Sequence, residues 1–291
     1  MSFPVFEVQQ EAFPPLLREI PQVPKSLTYR GALPPPSMKL LCVVGSRKCT
    51  TYGKQVVEHL ISGLRGYNIG IVSGLALGID SLAHEAALTN NLYTLAVPGS
   101  GLQDTVIYPA THKPLARKIL EQGGGLLSEF APDFTATKWS FTQRNRIMAG
   151  IAQATLLIEA SEKSGTLITA RMAVDYNREL LVVPGNIFSL NSQGTHQFLK
   201  LEATPVTNVQ DILYALGFSQ EDVEQKPKVF VQPTTLSLDE QKIITALFEP
   251  MNKDTLIRTV ELPSHIANVL LMQMQMKGLI TEDNNQYRKI S

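Results

Sequence analysis

Cysteine is nearly missing: Cys42 and Cys49 are the only two in 291 residues. That scarcity excludes a disulfide framework and leaves no thiol set for a zinc site. Cys42 falls in an apolar run and reads as a buried strand residue. Long apolar runs are also missing, since stretches such as residues 40–44 and 155–158 have strand length and fall far short of the roughly 20 residues of a membrane span. No basic stretch followed by an apolar block stands at the start, where Glu7 and Glu11 occur instead, so no secretory leader and a cytoplasmic location are expected. Net charge is absent too: 26 basic residues balance 26 acidic ones, which by itself argues against a nucleic-acid partner.

The charge that is there is segregated. Between Glu19 and Glu58 no acidic residue occurs, while Lys25, Arg30, Lys39, Arg47, Lys48 and Lys54 all lie in that window. A second acid-free window, from Asp133 to Glu159, holds Lys138, Arg144 and Arg146.

Residues 1–37, rich in proline, read as an extended strap laid over the next domain. In residues 38–218 short β-type runs (40–45, 69–73, 93–97, 125–129, 155–159, 180–184) alternate with helical patterns (52–65, 79–90, 112–122, 141–152, 166–178, 208–216). This alternation predicts an α/β fold with a doubly wound, mostly parallel, Rossmann-like sheet. Residues 219–235 are acidic, contain proline and lack apolar periodicity, as a linker does. Helical patterns at 236–249, 252–260 and 263–277, then two short strands around Asn284-Asn285, predict a small winged-helix domain over 236–291, the asparagines making the hairpin turn. Met272 and Met276, one turn apart, are expected in its core, with Met274 elsewhere.

In an open parallel sheet, ligands gather at the carboxyl ends of the strands, and four turns there suit an anion. They are Gly45-Ser46-Arg47-Lys48, Ser73-Gly74 through Gly78 to Asp80, Pro98-Gly99-Ser100-Gly101, and Lys163-Ser164-Gly165-Thr166. Glycine admits close backbone approach, a helix N-terminus favours an anion, and Arg47 adds a phosphate-matched fork. The first turn is not G-x-G-x-x-G and the second strand closes on Ser73-Gly74, where a dinucleotide binder places its acidic residue. No Walker A, G-x-S-x-G or H-E-x-x-H motif occurs, so no catalytic residue, cofactor or metal is expected. His84, four residues after Asp80 and beside Glu85, reads as a histidine bonded to a local carboxylate or carbonyl. Glu159 and Asp175 fit either a carboxylate pair or partners for Arg144, Arg146 or Arg171.

Cations and aromatics interleave in Lys138-Trp139-Ser140-Phe141-Thr142-Gln143-Arg144-Asn145-Arg146. That mixture suits a single strand, cations taking phosphates and a ring stacking on an unpaired base. The competing reading makes Trp139 and Phe141 core residues and the arginines structural; in an extended segment the two rings would point the same way.

The ordered set of Gly45-Ser46-Arg47 with Tyr52-Gly53, the Ser73 to Asp80 turn, Gln143-Arg144-Asn145-Arg146 and the Ser164 to Ala170 segment resembles the DNA-processing protein A (DprA/Smf) family. The resemblance runs over about residues 11–220 and includes the lead-in from Phe13 to Ile20. It implies a bacterial homodimer that binds incoming single-stranded DNA during natural transformation and loads the recombinase RecA. No catalytic activity comes with it. Gly45, Ser46, Arg47, Lys138, Phe141, Arg144, Lys163, Ser164 and Gly165 match positions lining the DNA groove, to which the residue reading adds Lys48, Asn145, Arg146 and Thr166. Many members carry a helical domain ahead of the strap, which is not read here, and many end in a winged helix. In this one the third helix holds so few cations that protein contact, not duplex reading, is expected. Two other functions fit the same residues: a nucleotide-phosphate enzyme on the Gly-rich edge, with Glu159 or Asp80 as base, and an interaction module whose sheet edge is structural.

Overall fold

The computed structural model describes residues 3–224, 237–276, 279–283 and 286–289. It divides into two units, Met1–Pro227 and Lys228–Ser291.

The first unit runs β1 (Phe6–Gln9), α1 (Pro15–Arg18), β2 (Ser26–Gly31), β3 (Lys39–Val44), α2 (Thr51–Gly63), β4 (Ile69–Ser73), α3 (Ile79–Thr89), β5 (Tyr93–Ala96) and α4 (Lys113–Glu121). It continues with β6 (Gly125–Ser128), α5 (Lys138–Ile151), β7 (Ala154–Leu157), α6 (Thr166–Asp175), β8 (Glu179–Val182), α7 (Gln193–Leu199), β9 (Thr204–Pro205), α8 (Val209–Ala215) and α9 (Gln220–Glu224). One nine-stranded sheet has the order β1-β2-β6-β5-β4-β3-β7-β8-β9. From β6 to β9 every neighbouring pair is parallel. The central strands are mostly apolar and buried on both faces, as in β3, where Leu40, Leu41, Cys42, Val43 and Val44 are all buried; parallel strands covered by helices on both sides need this pattern.

Three core clusters pack on the sheet. One joins Leu17 of α1, Ile147 and Ile151 of α5 and Leu167 of α6 to the strands. The second joins Val57 and Ile61 of α2, Ala83 of α3 and Ile212 of α8. The third joins Ile119 and Leu120 of α4 to Ala96 and Leu126. Helix starts follow local chemistry: Thr50 caps α2 by accepting from the Gly53 N–H at 3.2 Å, and Thr137 and Ser140 cap each other's amides at the start of α5.

The strap is not a separate arm. Its residues 6–9 and 26–31 form a hairpin, and β2 pairs antiparallel with β6, Arg30 lying opposite Leu126. The prolines sit between and outside these runs, so no ladder N–H is lost and an edge can form. The expected linker also starts later than residue 219. α9 is helical, and Phe218 and Val223 pack on the second core; residues 225–236 lie outside the described residues.

The second unit comprises α10 (Leu238–Ala246), β10 (Met251–Asn252), α11 (Lys253–Val260), α12 (Ser264–Met276), β11 (Ile280–Asp283) and β12 (Gln286–Lys289), with sheet order β10-β12-β11. Three helices with a small antiparallel sheet make the winged-helix arrangement; the Asn284-Asn285 turn lies outside the described residues. In α12 the expected methionine phase is wrong. Met274 is fully buried beside Leu271, and Met272 is 65% exposed, because the core stripe runs through Ala267, Leu271 and Met274 at the helical spacing of four and three. Among the described residues no helix is long and apolar enough to cross a membrane.

Candidate nucleic-acid interface

Sequence order in the sheet reverses between β3 and β7, the topological switch point at which crossovers leave to opposite sides and a crevice opens. A cleft of about 740 Å³ lies there, lined by Gly45, Ser46, Arg47 and Lys48 after β3, by Ser161, Ser164, Gly165 and Thr166 after β7, and by Lys138, Phe141, Thr142, Arg144, Asn145 and Met148 of α5. Ala76 and Asp80 of the second turn, with Tyr108 and Asn191, also line it.

The β3 loop is fastened on three sides. The Gly45 carbonyl accepts from Thr166 Oγ1 at 3.0 Å, the Ser46 carbonyl from the Ile79 N–H at 3.2 Å, and the Lys48 carbonyl from Asn191 Nδ2 at 3.0 Å. Beyond it, Glu159 accepts from the Thr50 N–H at 2.8 Å and from the Thr50 hydroxyl at 2.5 Å, anchoring the start of α2. Three of the loop's four carbonyls are therefore spent, while the N–H groups of Ser46 and Arg47 have no partner among the described residues. Free amides in such a turn form a concave anion cradle. The Arg47 guanidinium lies 5.2 Å from the centre of the Phe141 ring and, with Lys48 and Lys138, belongs to no ion pair among the described residues.

Gly78 shows why the second turn needs glycine. Its φ of +78° lies in the left-handed region, and a Cβ there would run into the backbone of Ser46 and Arg47. This turn supports the cradle from below and is itself closed. Asp80, 6% exposed, accepts from the Gly74 N–H at 3.1 Å, and a side chain at Gly74 would meet both Asp80 and Arg144. The Pro98 to Gly101 turn is closed as well: Phe141 lies against Gly99, and the Ala131 and Pro132 carbonyls lie against Gly101. Of the four anion-suited turns, the two at the switch point are open.

Arg144 is 3% exposed and donates to the Val97 carbonyl. Burial pushes its guanidinium down to about 10, with Asp80 opposing the shift; burial pushes the Asp80 carboxyl up, opposed first by Arg144. Arg144 thus forms the floor of the cleft and does not reach out as a phosphate ligand. Arg146 leaves the site altogether. Two residues along an α-helix is a rotation of about 200°, which turns Arg146 to an ion pair with Glu129 and a hydrogen bond to the Gln22 carbonyl at 2.5 Å. The same rotation separates Trp139 from Phe141, because α5 begins at Lys138 and neither ring is in an extended segment. Trp139 is 57% exposed and meets Phe130 and Phe134 edge-on, whereas Phe141 is half-buried in the cleft wall. Lys163 stands exposed one residue before Ser164 and is not part of the wall.

The carboxylate pair does not form: Glu159 is buried against Thr50, and Asp175 is exposed at the end of α6. His84 is fully buried, its Nδ1 2.7 Å from the Thr94 hydroxyl, and burial pushes it down to about 3, a hydrogen bond with the Ser73 backbone opposing the shift. Among the described residues no three metal-ligating side chains come together. A folded-state value near 3 against about 6.5 unfolded means that between those pH values only the unfolded chain takes up this proton. The folded state should lose up to about 1.4 kcal/mol per pH unit from this group as pH falls through the window. His84→Gln, which cannot titrate, should flatten the slope of urea-derived stability against pH there; an unchanged slope would remove His84 as its source.

Sequence reasoning missed Tyr108, Thr142 and Asn191. Thr142 was legible as the turn-mate of Lys138 and Asn145 on one helix face. Tyr108 and Asn191 carried no local motif, only membership of loops that follow strand carboxyl ends.

The fold and the cleft define a Rossmann-like protein with a donor-rich cleft at its switch point, backed by exposed cations and aromatic rings. The chain belongs to the DprA/Smf family: the family model for DNA recombination-mediator protein A matches residues 5–217. Over 217 residues it is 39% identical to DNA processing protein DprA of Streptococcus pneumoniae, covering 75% of this chain and 76% of that one. It is 38% identical to Protein Smf of Escherichia coli, covering 75% of this chain but only 58% of that protein. The X-ray structure of the Streptococcus pneumoniae protein superposes with a TM-score of 0.68, at 38% identity over 75% of each chain. DNA processing protein A of Helicobacter pylori, a structure concerned with its single-stranded DNA binding mode, superposes with a TM-score of 0.65 at 30% identity, over 74% of this chain and 96% of that one. The family match stops before the winged-helix unit.

Proposed function

We propose that the cleft binds the sugar-phosphate backbone of single-stranded DNA without sequence preference. The observation that carries this reading is the unpaired Arg47 on a loop whose Ser46 and Arg47 amides are free and three of whose carbonyls are tied down, facing the Ser164–Thr166 loop across the switch point. Lys48, Lys138 and Asn145 extend the donor surface, and Asp80, beneath the loop, is the one carboxylate lining the cleft among the described residues. Phosphates take the donors and an unpaired base takes an aromatic face, a combination that a duplex, with its bases stacked inward, does not use. Exposed Lys163 adds long-range attraction at the rim. The single-stranded DNA binding described for the Helicobacter pylori relative supports the same reading.

In this role the protein is cytoplasmic, carries out no chemistry, needs no cofactor, shields incoming DNA during natural transformation and hands it to the recombinase RecA. It works as a homodimer. Four large apolar side chains around α7, namely Ile187, Phe188, Leu190 and Leu201, are each at least 70% exposed, more apolar surface than one segment of a monomer usually shows. The winged-helix unit serves protein contact: Ile266, Val269 and Met272 stand exposed on α12 where a duplex reader would place cations.

The test is a fluorescence titration of oligo-dT and of a matched duplex across a salt series, with mononucleotide turnover assayed in parallel. Single-strand preference with a logarithmic salt slope of about −0.7 per phosphate neutralised is expected. Weak binding to both, or turnover, would reject the reading.

A further inference from the structure

The rings in the cleft are not equally available. Phe141 is half-buried, backed by Gly99 on one side and covered by the Arg47 guanidinium at 5.2 Å. Tyr108 is 49% exposed, its ring centre 5.5 Å from that of Phe141 and tilted by 49° to it. Its hydroxyl makes no hydrogen bond among the described residues.

The exposure does not come from a loose loop. Ile107, the preceding residue, is 4% exposed and its N–H donates to the Gln103 carbonyl at 3.2 Å. The Leu102 carbonyl accepts from Arg30 Nη1 at 2.7 Å, the Thr105 carbonyl accepts from Lys113 Nζ at 3.1 Å, and His112 Nδ1 lies 2.8 Å from the Leu75 carbonyl. A phenol ring is thus held half out of the wall by a pinned segment, propped on a second ring, beside the cations that suit a phosphate. Packing gives no reason for it to stand there.

We infer that Tyr108, propped by Phe141, forms a nucleobase subsite: an unpaired base stacks on its open face while the adjoining phosphate lies in the Gly45–Lys48 cradle. This rests on the single-strand reading and adds to it where along the wall the base is taken. A ring face accepts any base, so the subsite contributes affinity without sequence choice. Arg47, over the other ring, sets the spacing between the stacked base and its phosphate.

The experiment walks a single 2-aminopurine along oligo-dT and compares wild type with Tyr108→Phe and Tyr108→Ala, each checked for an unchanged thermal midpoint. Wild type and Tyr108→Phe should quench the probe at one register and bind alike. Tyr108→Ala should lose that quenching and bind about tenfold more weakly, with the salt slope unchanged because no phosphate contact is removed. If Tyr108→Ala keeps both affinity and quenching while wild type binds, the subsite is refuted and the backbone reading stands. If the loss comes with a shallower salt slope, Tyr108 acts by placing Arg47, and stacking is refuted. If wild type fails to bind oligo-dT, the single-strand reading falls and the subsite with it.

Discussion

Replacing Arg47 with alanine is expected to weaken oligo-dT binding by ten- to a hundredfold, the loss of a charge-assisted contact worth about 1.5–3 kcal/mol. The size follows from its isolation. Arg47 is exposed, has no carboxylate partner among the described residues and lies over Phe141, so no competing ion pair is released when it engages a phosphate. The cost should fall on binding alone, because no core contact or backbone bond depends on its side chain. Fluorescence anisotropy across a salt series should show the logarithmic slope shallower by about 0.7, one phosphate's worth. Arg47→Lys should restore most of the slope but not all of the affinity, since an ammonium cannot reproduce the planar fork. Full affinity and full slope in the alanine variant would remove Arg47 from the site.

Arg144→Met should act on the fold. Asp80 is 6% exposed, and Arg144 is the largest influence favouring its charged form. Removing the cation strands a buried carboxylate, a change that costs about 3–5 kcal/mol. Chemical denaturation at pH 7 should show the loss directly. Its pH dependence has a definite sign. The Asp80 value, already raised in the folded state, rises further without Arg144, so the folded variant binds a proton that the unfolded chain releases. Relative to wild type, the variant therefore regains stability as pH falls through that folded-state value and is worst above it. Asp80→Asn combined with Arg144→Met should recover part of the loss, as interacting neighbours do. A single variant as stable as wild type would show that the pair contributes nothing.

These two arginines mark how far the sequence could be read. Alternating β-runs and helical patterns placed every central strand of the sheet within a residue or two, because parallel strands buried on both faces leave a predominantly apolar signature. The cradle loops were legible for a related reason: glycines at strand carboxyl ends are visible without knowing the rest of the chain. Which arginine faces the cleft was not visible. Arg144 and Arg146 differ by helix phase, and phase depends on where α5 begins, which the Thr137 and Ser140 caps set at Lys138. An alternation-based reading also missed β1 and β2. Their pairing with β6 is long-range, and flanking proline masks it locally. Met272 and Met274 exchanged places for the same reason as the arginines, a one-step error of phase on an uncharged helix.

The three tethers on the Gly45–Lys48 loop have a kinetic consequence. A loop whose carbonyls are bound to Ile79, Thr166 and Asn191 has given up its conformational freedom during folding, so little ordering entropy is left to lose on association. Capture should then proceed as a single step set by diffusion and charge steering, with the encounter rate tracking ionic strength and no slow isomerisation following it.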